Sequence, residues 1–177
     1  MAFQTVVSLY TGSGVPGEPY TNYPMRAQSL TIDSASAAYN IIGSTCFTVL
    51  SPGFAQAGNG SGNLGFAGFL FNPKVYALQG AGGNTLNPSL VLPNFTQGEF
   101  ITEGTLWVLL PNTANVGDIV VYDNVTGAIE SISPTTALPS GKTFANAQVD
   151  YFDTGVAVAG QYLAVISITP LIVGTAV

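Results

Sequence analysis

Four aspartates are the residues of this chain whose type and spacing come nearest to chemistry. Asp118 and Asp123 flank one β-branched run, and Asp150 and Asp153 stand three apart at the end of another. Paired carboxylates can serve as acid and base on a glycosidic bond, or hold Ca²⁺ through their oxygens. The acidic and glycine spacing of a calcium loop is absent, however. Asp at a strand end is ordinary turn chemistry, its carboxylate accepting bonds from backbone N–H groups just beyond it. The rest of the repertoire is thinner. The sequence has no histidine and one cysteine, Cys46. That removes the commonest general base, the Ser-His-Asp and Cys-His arrangements, and structural zinc. No lysine-bearing phosphate loop is present. The expectation is no enzyme, no cofactor and no metal.

One motif imitates a nucleotide site. Residues 12–17 spell G-x-G-x-x-G after a β-like run, with Asp33 at about the distance of a ribose-binding acid. That fingerprint needs a helix opening at the third glycine, so that its N-terminus meets the pyrophosphate. Pro19 and Pro24 make such a helix untenable.

The elements that must position these residues read as strands. Residues 105–110 are apolar on both faces, with Leu106, Val108 and Leu110 opposed to Trp107 and Leu109, so the strand should be covered on both sides. Pro111 ends it. Residues 119–122 and 128–132 are further runs around an Asn- and Gly-rich turn, which together read as a three-strand meander. Other strand-like runs are 3–10, 28–32, 45–50, 65–71, 74–78, 90–92, 99–102, 147–152 and 162–168. In 147–152, Ala147, Val149 and Tyr151 should face inward, and residues 153–155 should turn the chain. Residues 34–39 are the best helical candidate; 55–64 and 80–87 are glycine-rich loops. The fold class is mainly β: a single β-barrel or β-sandwich-like domain of short strands with an extended N-terminal arm. Residues 1–27 form the N-terminal strand and the Pro/Gly/Tyr arm, and residues 28–177 the β-rich body.

Composition narrows the function further. Charged residues make up 7% of the chain, against about 25% in an average soluble domain. Three cations (Arg26, Lys74, Lys142) and a net charge of −6 exclude a phosphate backbone as partner, since nucleic-acid binding needs several cations. A hydrophobic fraction of 47% with so few charges points to a large permanent interface, or else to a membrane. The longest apolar run, residues 156–177, is interrupted by Gln161, Ser167, Thr169 and Pro170. It reads as a strand with an apolar tail rather than a bilayer span. The opening Met-Ala-Phe-Gln-Thr lacks the basic and apolar regions of a signal peptide. Cys46, alone and beside Phe47 and Val49, reads as a buried thiol in a protein made in a reducing cytoplasm.

Residues 11–25 carry three prolines, and Tyr10, Tyr20 and Tyr23 flank or punctuate them. The prolines restrict the free segment, so docking it costs less entropy. The segment either packs on its own domain or reaches a neighbouring subunit. In the second case Pro16, Pro19, Tyr20, Tyr23, Pro24 and Arg26 are the contact residues, the Arg26 guanidinium gripping a carboxylate.

Short motifs recur in a telling order: MAFQ, GVPGE, PMRAQSLTI, YNIIGSTCFTV, GFAQAGN, FAGFLFNPKVYALQG, VGDIVVYDNVTGAIESI and AQVDYF. That order resembles the tailed-bacteriophage structural cement proteins, which decorate and brace capsids, and the resemblance runs from residue 1 to about 168. Where the family has Gly-Arg before its aromatic strand, this chain has Ser44-Thr45-Cys46. The resemblance implies a non-enzymatic protein of the outer head surface, made in the bacterial cytoplasm. Its implied partners are the major capsid protein across subunit joints and itself as a homo-oligomer, a trimer first and a dimer second. Read from composition alone, the other candidate is a surface-exposed β-type binding or adhesion module, lectin-like, that presents its loops.

Overall fold

The computed structural model describes residues 14–20, 24–58, 65–71, 91–158 and 160–169, with the backbone alone at 154–158. Nine strands are found among them: β1 Arg26–Ile32, β2 Cys46–Ser51, β3 Phe54–Ala57, β4 Phe66–Leu70, β5 Gln97–Leu110, β6 Ile119–Asp123, β7 Ile129–Ile132, β8 Lys142–Val158 and β9 Gln161–Ile168. They run in the order β1-β3-β2-β4-β5-β9-β8-β6-β7, and a further pairing of β1 with β5 closes the first five into a barrel. The pairs are antiparallel except β1–β3, which meet in parallel through Thr31↔Phe54 and Ile32↔Ala55.

β5 belongs to both halves. Residues 97–103 pair with β1, and Phe100 and Ile101 also with β4; residues 104–110 pair with β9 in the open sheet. The changeover falls at Gly104, whose φ of +127° is a conformation open to glycine and strained for any residue with a Cβ. At Gly68 in β4, φ is +123°, and a Cβ would also lie 2.4 Å from the Ile101 carbonyl oxygen.

Alternation along the barrel strands feeds two cores. Phe47, Leu70 and Phe100 fill the barrel with Ile32, Ala55, Ala57 and Ala67, and the Phe47 and Phe100 rings lie 5.0 Å apart. Their chain neighbours Cys46, Phe69 and Ile101 point the other way, packing with Leu106, Val108, Val120, Val149 and Ile166 of the open sheet. On the far face of that sheet Trp107, Leu163 and Val165 form a third cluster, with Leu109 against it. The 105–110 strand is thus covered on both sides, as its sequence indicates.

Several expectations need correction. The meander fails at its first joint. β6 and β7 form the expected hairpin, but β6 pairs on its other side with β8, and β5 pairs with β9. Residues 111–118 carry the chain past two strands, because a short polar loop does not oblige its flanking strands to pair. Tyr151 is 42% exposed rather than inward. A register shift between Val149 and Tyr151 moves it to the opposite face, as an extra residue reverses a period of two. Residues 153–155 do not turn the chain; β8 continues to Val158, and those residues fall within a second register irregularity. Residues 54–57 form β3 where the glycine-rich loop was placed, since Ala and Gln carry little strand signal. The helical candidate shrinks to one 3₁₀ turn, Ala37–Tyr39, capped by Ser36, and the described part of the 90–92 run, from Val91, to an isolated bridge, Ile41↔Val91. The strands placed at 3–10 and 74–78 and the loop at 80–87 lie outside the described residues. No helix among the described residues is long and apolar enough to cross a membrane.

The two glycines should differ in cost. Gly104→Ala meets only Met25, at an ordinary contact distance of 3.4 Å, so the backbone strain, about 1–3 kcal/mol, is its whole penalty. Gly68→Ala adds a backbone clash and should cost more. Urea denaturation of both variants checks the order; Gly104→Ala as stable as the wild type would mean that the β5 bend is not fixed by the glycine.

Candidate interaction surface

The carboxylates turn out to be occupied with folding. Asp123 Oδ1 accepts N–H bonds from Val125 (2.9 Å) and Thr126 (2.8 Å) and the Thr126 hydroxyl (3.0 Å), closing the β6–β7 turn. These bonds, the Thr126 N–H foremost, hold its carboxyl below the usual range against a smaller opposing effect of burial. Asp118 Oδ2 accepts the Asn115 N–H at 2.8 Å, and Asp150 Oδ1 accepts the Ser167 hydroxyl at 3.1 Å. Lys142 is paired with Glu130. Cys46 is wholly buried and burial pushes its thiol well up, away from nucleophilic chemistry. Burial likewise lifts the Tyr122 hydroxyl to about 12. The described residues hold no group of three His, Cys, Asp or Glu side chains able to bind a metal.

Two open concavities lie among the described residues. One, of about 540 Å³, is lined by Gly117, Ile119, Pro134, Phe144, Ala147 and Gln148. The other, of about 360 Å³, sits at the β5 bend between Pro24, Glu103, Gly104, Thr105, Asp150 and Ser167. Neither encloses a nucleophile with a base. What the molecule offers a partner is surface.

The best-defined part of that surface is the N-terminal segment. Residues 14–20 run along the free edge of β5, turning at Pro16-Gly17, where the Glu18 N–H donates to Val15 O (3.0 Å) and Gly17 has φ +83°. The Gly17 N–H donates to the Trp107 carbonyl (2.8 Å), the Trp107 N–H to Glu18 (2.9 Å) and the Tyr20 N–H to Thr105 (3.2 Å). Both edges of this half of β5 are therefore taken, one by β9 and one by the segment. Gly14 lies flat on the indole, where an added Cβ would be 2.2 Å from the Trp107 ring. Tyr20 and Tyr151 meet the same ring edge-on at 5.3 and 5.9 Å. Trp107 is left 5% exposed. Of the G-x-G-x-x-G imitation, Gly14 serves close approach to the indole and Gly17 bonds to β5, and no helix opens at Gly17; Gly12 lies outside the described residues.

The residues picked from the sequence as contacts separate into two sets. Pro16 and Pro19 are partly buried; Pro16 packs against Gly43, and Pro19 sits in a bridge with Leu106. Tyr20 is 45% exposed despite its ring contact, and Pro24 and Arg26 are exposed. Pro24 lines the notch at the bend, and Arg26 stands opposite Glu103 at the start of β1. Tyr23 lies outside the described residues. Sequence reasoning did not pick out Tyr151 and Met25, both half exposed beside this segment; only the bulge in β8 brings Tyr151 there.

A closed barrel on an open sheet, with Asp118, Asp123 and Asp150 bonded within the fold and exposed apolar groups beside the N-terminal segment, is the build of a protein that works by contact. The family described as structural cement protein (E217 gp24/Pam3 gp6) matches residues 3–169, and the chain belongs to it. The role of that family is structural, stabilising the phage capsid, and it associates the protein with the virion. Among solved structures, a chain from "The capsid of Myoviridae Phage XM1" has the same fold, with a TM-score of 0.55 at 16% identity over 93% of this chain and 96% of that one. No curated protein sequence matches.

Two substitutions probe this surface. Trp107→Ala removes a buried indole from between sheet and segment and should cost about 3–5 kcal/mol in chemical denaturation; an unchanged midpoint would mean the ring does not hold the segment. Asp123→Ala should cost about 1 kcal/mol at neutral pH, as for a lost cap. Because the folded carboxyl titrates below its unfolded value of about 3.9, its contribution is present above that pH. It fades as pH falls through the folded value. Wild-type and variant stabilities should converge in acid; a difference that persists there would assign the loss to packing.

Proposed function

We propose that the protein braces the outer surface of a phage head by lying across joints between major capsid subunits. It does so as a homo-oligomer, a trimer favoured and a dimer second. The observation that carries the reading is the exposed set Tyr20, Pro24, Met25, Arg26 and Tyr151 around the β5 bend, on a chain with 7% charged residues. Large apolar patches on a folded surface mark interaction sites. Here the patch rests on a segment already zipped to the sheet, so little order remains to be lost on docking. Pro16 and Pro19 hold the segment in place. Tyr20, Pro24 and Arg26 meet the capsid, as does Tyr23, and Arg26 supplies a two-pronged grip on a coat carboxylate. Burial contributes about 25 cal/mol per Å² of apolar area, and many copies, each clamping more than one subunit, add by avidity.

The test is addition of purified protein to expanded heads that lack it. Saturable binding with a rise in head melting temperature is expected; failure to bind at any concentration overturns the reading. Arg26→Ala, an exposed change, should leave the melting temperature of the free protein alone. It should weaken head binding about two- to five-fold, an effect that shrinks as salt is raised.

A further inference from the structure

Phe95 is an aromatic side chain 74% exposed to solvent on a backbone with φ +64°. A bulky residue in the left-handed region is an outlier, normally replaced there by glycine or asparagine. Strain of this kind persists only where the surroundings over-determine it, and it gathers at functional positions. The surroundings do over-determine it. The Phe95 N–H donates to Ile32 O (2.7 Å), the Ile32 N–H to Thr96 O (2.9 Å) and the Thr96 hydroxyl to Pro93 O (2.6 Å). The preceding Asn94 is locked inward. Its Nδ2 donates to Ser34 O (2.7 Å), and its Oδ1 accepts from the wholly buried Asn40 Nδ2 (2.8 Å) and from the Ser34 N–H (3.3 Å). Asn40 Nδ2 also reaches Leu92 O at 2.9 Å. The turn is rigid, its polar side chain points in, and its apolar ring points out.

We propose that Phe95 is an anchor that inserts into an apolar socket on a capsid subunit, a second attachment point for the cementing role above, on which this inference rests. Three observations favour a coat subunit over a second copy of this chain. The family to which the chain belongs stabilises the phage capsid, so a coat subunit is the partner that an outward apolar ring of this protein meets. Phe54, also exposed, pairs with Thr31 at the same end of β1, so a second uncharged apolar group stands at that end of the strand. The position also suits a brace. β1 runs from Arg26 beside the N-terminal segment to Ile32 beneath Phe95, so the two attachment points stand about 20 Å apart at opposite ends of one strand. Two separated contacts on one rigid body let a single copy hold two surfaces, and an aromatic in a desolvated pocket is a usual centre of binding energy.

The experiment compares wild type, Phe95→Gly and Phe95→Leu for melting temperature, for mass by light scattering, and for binding to expanded heads that lack the protein. Phe95→Gly relieves the strained backbone, so its melting temperature should hold or rise by up to about 4 °C. Its head binding should fall by about ten-fold or more, with mass unchanged. Phe95→Leu, which keeps an apolar side chain, should retain more of the binding. A lower melting temperature for Phe95→Gly would make the ring structural and overturn the proposal. A smaller particle in place of an oligomer would put the socket on a sister copy and overturn it equally. Wild-type binding matched by Phe95→Gly overturns the anchor alone; absence of wild-type binding overturns the cementing reading beneath it.

Discussion

Everything in this molecule hangs on β5. One 14-residue strand closes a barrel with its first half and builds an open sheet with its second. A hydrogen-bonding edge can be satisfied only once, so the number of neighbours β5 holds measures how much of the fold it organises. It holds β1, β4, β9 and the segment at residues 14–20. Strands average about 5–6 residues; the extra length lets one strand serve two sheets, and Gly104 lets it change direction between them. The cores follow. Successive residues Phe100 and Ile101 enter different cores, as do Phe69 and Leu70, and Cys46 and Phe47.

Much of this could be read from residue types. The doubly apolar character of residues 105–110 announced a strand covered on both faces, and Cys46 beside Phe47 announced a buried thiol. The fold class followed from many short strands and frequent turns. Pairing could not be read. Nothing in TLWVLL distinguishes a neighbour eight residues on from one more than fifty residues on, because an antiparallel ladder bonds backbone to backbone. The bulge in β8 was equally silent: residues 147–151 alternate apolar and polar, and only the observed register shows that Tyr151 has changed sides. β3 was missed because its side chains are small and a glycine-rich run follows. Phe95 went unremarked because its exposure and its φ are properties of the folded backbone, invisible in Asn-Phe-Thr.

The aspartates teach the opposite lesson. Their spacing invited a catalytic reading beside the one of turn chemistry, and two of them are found bonded to turn N–H groups. Asp118 and Asp123 cap turns at the two ends of β6. In a chain with nine acidic residues and three basic ones, few carboxylates can find a cation, so backbone N–H groups are the available donors. A turn presents several such donors within reach of one side chain. Charge scarcity thus moves acidic residues into structural service and leaves the surface to tyrosine, proline and phenylalanine.

In the proposed role the molecule must also carry load between its two attachment points. The N-terminal segment and Phe95 stand at opposite ends of β1, and β1 is joined to β5 by six antiparallel residue pairs from Arg26↔Glu103 to Thr31↔Gln97. A pull between those ends runs along the strands, so it shears the ladder and spreads over all of its bonds at once. A pull across them would peel the bonds one at a time. The same ladder resists far more in the first geometry than in the second. Barrel closure reinforces this, because β1 meets β3 at its far end and cannot lift away from β5 without opening the Ile32 and Phe100 core as well. The strained turn at Phe95 is bonded to Ile32, the last residue of that strand, so force entering through the ring passes directly into the ladder. Rigid anchoring of an exposed side chain, wasteful in a free protein, is what the proposed contact requires in order to transmit force.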